Sequence, residues 1–109
     1  MPYNEDLANR IRNYCRGKKG ISERNMFGGV CFMVNGNMAC GVERNNLVIR
    51  VGPDKYEEAL KNPFARPMDF TGRPLKGFIY VVPEGYKSIA TLRKWIGSGV
   101  NFAKALPSK

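Results

Sequence analysis

Residues 30–51 read Val-Cys-Phe-Met-Val-Asn-Gly-Asn-Met-Ala-Cys-Gly-Val-Glu-Arg-Asn-Asn-Leu-Val-Ile-Arg-Val, and this stretch decides the fold class. Val30, Phe32 and Val34 alternate with Cys31 and Met33, Asn35-Gly36-Asn37 supplies turn residues, and Met38, Cys40 and Val42 alternate again. Asn-Gly tolerates the positive φ of a tight reversal, so the pattern predicts a β-hairpin. Strict alternation puts Cys40 on the same face as Met38 and Val42, and sets Cys31 opposite Val30, Phe32 and Val34. A second polar turn, Arg44-Asn45-Asn46, leads into the alternating run Leu47–Val51, which makes three consecutive antiparallel strands.

Upstream, residues 4–16 read as a helix. Asn4 suits the N-cap, Glu5 and Asp6 the positive end of the dipole, and Gly17 the position after the last turn. Leu7, Ile11, Tyr14 and Cys15 form its apolar stripe. Residues 21–26 carry a weak strand pattern. Downstream, Gly52-Pro53-Asp54 opens a short helix with Tyr56, Ala59 and Leu60 on its apolar side, ended by Asn62-Pro63. A proline-marked edge strand is expected around Pro67–Phe70, and the clearest strand, rich in β-branched and aromatic residues, over Leu75–Val82 up to Pro83. The end reads as a helix from about Ser88 to Leu106, with Ile89, Leu92, Trp95, Ile96, Val100, Ala103 and Leu106 on one face. Gly97 and Gly99 mark either a bend or a close approach by another backbone. The expected fold is therefore α+β: two layers, an antiparallel sheet of about five strands, N-terminal and C-terminal helices, and one short helix between strands.

The chain has 109 residues, enough for a single core, and no repeat or linker divides it, so residues 1–109 are read as one domain. No apolar run approaches the ~18 residues of a membrane span, and the start carries Glu5 and Asp6 with no apolar leader. The expectation is a cytoplasmic domain with no membrane contact.

Composition excludes much chemistry. The chain has no histidine, which removes Ser-His and Cys-His catalysis and histidine-containing zinc sites. The cysteines, Cys15, Cys31 and Cys40, are odd in number and lack Cys-x-x-Cys spacing, so they read as buried small hydrophobes. Glu57 and Glu58 are helix neighbours that point apart, while Asp69 and Glu84 stand singly, so no catalytic carboxylate pair is expected. Met26-Phe27-Gly28-Gly29 is followed by a strand rather than a helix, which suits a bulge or turn better than a phosphate loop. The reading is a non-enzymatic domain with no catalytic residue, cofactor or metal.

Charge is the unusual quantity. Eighteen Lys and Arg against nine Asp and Glu give +9. Arg10, Arg12, Arg16, Lys18, Lys19 and Arg24 meet only Glu23 over the same stretch, and after Glu84 come Lys87, Arg93, Lys94, Lys104 and Lys109 with no acid. Such a field favours polyanions, nucleic acid foremost. The densest stretch, Arg10 to Arg24, is the expected strongest site. Arg66-Pro67-Met68 and Thr71-Gly72-Arg73-Pro74 add a proline-stiffened loop region whose Arg66 and Arg73 suit a phosphate or carboxylate, or else cap carbonyls or pair with Asp69 or Glu84. Neither the ribonucleoprotein motif nor another base-reading motif accompanies the charge, so any nucleic-acid contact is expected to be weak and indifferent to sequence.

Arg24-Asn25-Met26-Phe27-Gly28-Gly29, Phe32, Asn35-Gly36-Asn37-Met38, Leu47-Val48-Ile49-Arg50 and Ala65-Arg66-Pro67-Met68 run in an order, completed by Gly77 to Val82 and the terminal helix, that resembles the N-terminal domain family of TfoX/Sxy competence regulators. The resemblance covers about residues 5–106. It implies a two-layer α+β domain, often dimeric, that in full-length members precedes a helical C-terminal domain and acts with cyclic-AMP receptor protein on competence genes. It brings no catalytic residues. At 109 residues the chain is expected to be a stand-alone version: a regulatory module that contacts a protein of the transcription machinery, forms a homodimer, and touches nucleic acid weakly. Direct nucleic-acid binding, and a small ligand at the Arg66–Arg73 region, are the alternative functions.

Overall fold

A computed structural model describes residues 3–26, 28–69, 72 and 74–108. Helix α1 (Glu5–Cys15) leads into strands β1 (Ile21–Met26), β2 (Gly29–Val34), β3 (Asn37–Glu43) and β4 (Asn46–Arg50). A 3-10 turn at Pro53–Lys55 runs into the short helix α2 (Tyr56–Leu60). Strand β5 (Ala65–Pro67), strand β6 (Phe78–Val81), a 3-10 turn at Pro83–Tyr86 and helix α3 (Ile89–Lys104) complete the order. The strands form one antiparallel sheet in the order β1-β2-β3-β4-β6-β5. This is the expected α+β fold, with six strands among the described residues rather than about five, the weakly patterned 21–26 segment being a full strand.

Local chemistry sets the element ends as expected at the helices. The Asn4 side chain accepts from the Leu7 N–H at 3.0 Å, and Ser88 caps α3 by accepting from the Thr91 N–H at 3.1 Å. Asn35 (φ 52°) and Gly36 (φ 84°) close the β2–β3 hairpin in a two-residue turn whose positive φ values only such residues take readily.

Three expectations about strand bounds and facing change. The edge strand covers 65–67 rather than 67–70, and Phe70 lies outside the described residues. The 75–82 strand starts only at Phe78, because Gly77 takes φ +97° and the Phe78 N–H turns back to the Leu75 carbonyl at 3.0 Å. Cys40 does not share a face with Met38. Phe32 pairs with Cys40 and Met33 with Met38, so Ala39 is an extra residue in β3, and this bulge shifts the alternation by one.

Both faces of the sheet are apolar, but they are covered differently. On the inner face, Val30, Phe32, Val34, Cys40, Val42, Leu47, Ile49, Ile79 and Val81 pack with Leu7, Ala8, Ile11 and Cys15 of α1 and Leu92, Ile96, Val100 and Ala103 of α3. Gly99 settles the choice between bend and close approach. A Cβ there would run into the Ala39 carbonyl oxygen and stand 3.5 Å from Ile49, so glycine lets α3 lie directly on the bulge. Helix α3 is continuous past Gly97, where a Cβ would sit 3.1 Å from the Tyr14 hydroxyl. Ile89, expected on the apolar face, is 67% exposed in the first turn of α3. On the outer face, Cys31, Met33, Met38, Val48 and Met68 cluster with Met26, Leu75, Phe78 and Tyr80. None of these outer-face residues comes from a helix. No helix among the described residues is long and apolar enough to cross a membrane.

Candidate functional site

The basic residues singled out in the sequence do not form one surface. Arg12 is held by Glu23, with Nε and Nη2 donating to its carboxylate at 2.8 and 2.9 Å and Nη1 donating to Asn9 at 2.7 Å. The Glu23 bonds stabilise the charged form and push the guanidinium further up. Arg10 pairs with Asp6 one turn earlier at 3.2 Å, and Arg16 donates to Asn13 at 3.1 Å. Arg24 sits directly across from Cys31 in the β1–β2 ladder, which places it on the outer face, away from the α1 arginines. Arg66 donates to the carbonyls of Pro63 and Ala65 at 2.6 and 2.9 Å, the carbonyl-capping alternative. Arg73 lies outside the described residues.

Lys18 and Lys19 instead meet the bases of α3. The 16–20 segment is tied to the hairpin turn by the Asn35 N–H, which donates to the Gly20 carbonyl at 2.9 Å. The far end of α3 is anchored to the same hairpin by Asn37, 3% exposed, whose Nδ2 donates to the Pro107 carbonyl at 2.9 Å. Between these ties lies a cleft of about 400 Å³. Lys18, Lys19 and Lys104 line it with Tyr14, Asn35 and Asn101, over an apolar floor of Ile21, Val34 and Val100. Tyr14 is the hinge of the surface. Lys18 stands over its ring at 5.0 Å and Arg93 at 5.7 Å, so one aromatic gathers a cation from each basic stretch. Asn101 also lines a larger concavity with Lys55, Arg93, Lys94 and Asp54. Tyr14, Asn35, Arg93 and Asn101 were not anticipated as site residues. The acid-free run after Glu84 was the signal for Arg93, Lys94 and Lys104.

The cysteines are buried free thiols, as expected. Desolvation raises all of them: Cys15 moves up, Cys31 is pushed up to about 11, and Cys40, enclosed under the helices, is pushed furthest.

The outer face presents a different chemistry. Met26, Leu75, Phe78 and Tyr80 are half-buried around buried Cys31, Met33, Met38, Val48 and Met68, so thioethers, a thiol and aromatic rings concentrate on one side of the sheet. Burial raises the Tyr80 hydroxyl, with the nearby charge of Glu43 adding to it.

A search of curated proteins and of solved structures found no match. A family model does match, TfoX N-terminal domain, over residues 13–103. That span takes in every strand, the last three residues of α1 and nearly all of α3, and the chain belongs to the TfoX N-terminal domain family.

Proposed function

We propose that the chain is a non-enzymatic regulatory module that works by protein–protein contact and self-associates through the outer face of its sheet. The observation that carries this reading is half-buried Met26, Leu75, Phe78 and Tyr80 on a face that no helix of the described residues covers, packed against buried Met33, Met38 and Met68. Methionine is flexible and polarisable, and recurs on surfaces that must adapt to a partner. A standard interface takes about 800 Å² from each partner, roughly an eighth of the chain's 6522 Å². The sheet edges are poorer candidates. Strand β1 carries Glu23 and Arg24, and β5 has only three residues and ends in Pro67, devices that blunt edge-to-edge pairing. The close-packing glycine of α3, Gly99, is already used against β3. The raised thiols support the non-enzymatic reading, since a nucleophilic cysteine needs a depressed pKa. The partner class that the family implies is the transcription machinery.

Sedimentation equilibrium at tens of micromolar tests the reading. Wild-type chain should run at twice the monomer mass, and Met26→Glu and Tyr80→Glu should each return it to the monomer while remaining folded by circular dichroism. A wild-type monomer up to millimolar concentration would refute self-association through this face.

A further inference from the structure

The helix side of the molecule carries a second surface, independent of the outer-face reading. The cleft at Lys18, Lys19 and Lys104 and the concavity at Lys55, Arg93 and Lys94 share Asn101 and lie along α3. Asp54 is the one acid among the described residues lining either of them. All six of these bases are exposed, and among the described residues none makes an ion pair, unlike Arg10 and Arg12. A helix of 16 residues extends about 24 Å, the length of about seven successive phosphates on one strand of a duplex. The negative end of the α3 dipole lies near Lys104 and opposes an anion, but it amounts to about half a charge against three ammonium groups.

We propose that α3 and the 16–20 segment form a track for the phosphate backbone of nucleic acid, with the Lys18–Lys19–Lys104 cleft as its main phosphate seat. The chemistry is that of point charges and amide donors: lysines neutralise phosphates, and Asn35 and Asn101 hydrogen-bond to their oxygens. Tyr14 is occupied by Lys18 and Arg93 on its ring, so it positions cations rather than stacking a base. Binding is therefore indifferent to sequence and set by salt.

Fluorescence anisotropy with a labelled duplex and a labelled single strand of mixed sequence tests the track. Wild-type chain should bind with micromolar affinity at about 50 mM salt and about a hundredfold more weakly at about 150 mM, the fall expected for about five neutralised phosphates. Lys18→Gln/Lys104→Gln should weaken binding at least about tenfold and lower the salt slope by about two. Lys61→Gln/Lys76→Gln removes the same charge from exposed positions outside the track and should stay within about threefold of wild type. Amide shifts of the wild-type chain on adding the duplex should concentrate at residues 16–20, Asn35 and 93–104. Equal losses from the two double variants would reduce the effect to net charge and overturn the proposal. So would no binding at the lower salt, stronger binding of polyglutamate than of either oligonucleotide, or shifts confined to the outer face.

Discussion

The two faces of the sheet are cut from the same strands yet built on different principles. Ile49 and Val48 are neighbours on β4, and both are almost fully buried, but Ile49 lies under Gly99 of α3 while Val48 lies among Met33, Met38 and Met68. The inner face is mostly branched aliphatic residues with few rotamers, and two helices dock on it by shape. The outer face uses unbranched thioethers that fill irregular space without a fixed complement. Rigid packing on one side specifies the fold; adaptable packing on the other underlies the interface with a second copy that we propose.

The largest effect separates these neighbours. Ile49→Ala should cost about 2–5 kcal/mol, because α3 rests on the bulge and cannot settle into the cavity. Val48→Ala should cost about 1–2 kcal/mol, its methionine neighbours relaxing into the smaller space. Chemical denaturation of both variants checks the order, and equal costs would erase the distinction between the faces.

Alkali should sharpen the comparison next. Unfolded thiols ionise near their ordinary value of 9.0, while burial keeps Cys31 protonated to about 11 and Cys40 beyond that. Because the folded values are raised, their contribution to stability is fully present below pH 9 and is lost as pH climbs toward and past 11. Urea midpoints should therefore fall above pH 9, less steeply in Cys31→Ala. A thiol reagent at neutral pH should react slowly with the native chain, reaching Cys31 before Cys40.

Two smaller effects follow. Met33→Leu, a nearly volume-conserving change on the adaptable face, should cost less than about 1.5 kcal/mol by thermal melting. Arg12→Gln removes the α1–β1 ion pair with Glu23, but both partners are partly exposed, so about 0.2–1 kcal/mol is expected and it should shrink further in high salt.

Much of this was legible in the sequence. Asn35-Gly36 announces the hairpin, and Asn4 and Ser88 announce the helix starts, because each acts through its own local chemistry, whereas Gly99 left a bend and a close approach both open until the contact with Ala39 decided it. The bulge at Ala39 was not legible, since Met38-Ala39-Cys40 alternates as well as any regular strand; it shows only in the pairing with β2, where Gly99 of α3 meets the Ala39 carbonyl. Nor did the sequence separate Arg24 from Arg10 and Arg12, because a β-strand sends its side chains to both faces and only pairing with Cys31 fixes which. The basic stretches were visible individually. Their meeting at Tyr14 depends on how α1 and α3 cross on the inner face, which is a tertiary fact.

The most direct measurement of the central claim is a dilution series on chain labelled at the methionine and the isoleucine, leucine and valine methyl groups. From about millimolar to micromolar concentration, the methyl resonances of half-buried Met26 and Leu75 should move most as the self-associated outer face is uncovered, with smaller shifts at buried Met33 and Met38, while those of Ile49, Leu47, Ile79 and Ile96 stay fixed. Methionine resonances that do not respond to dilution, or inner-face methyls that move instead, would contradict the account.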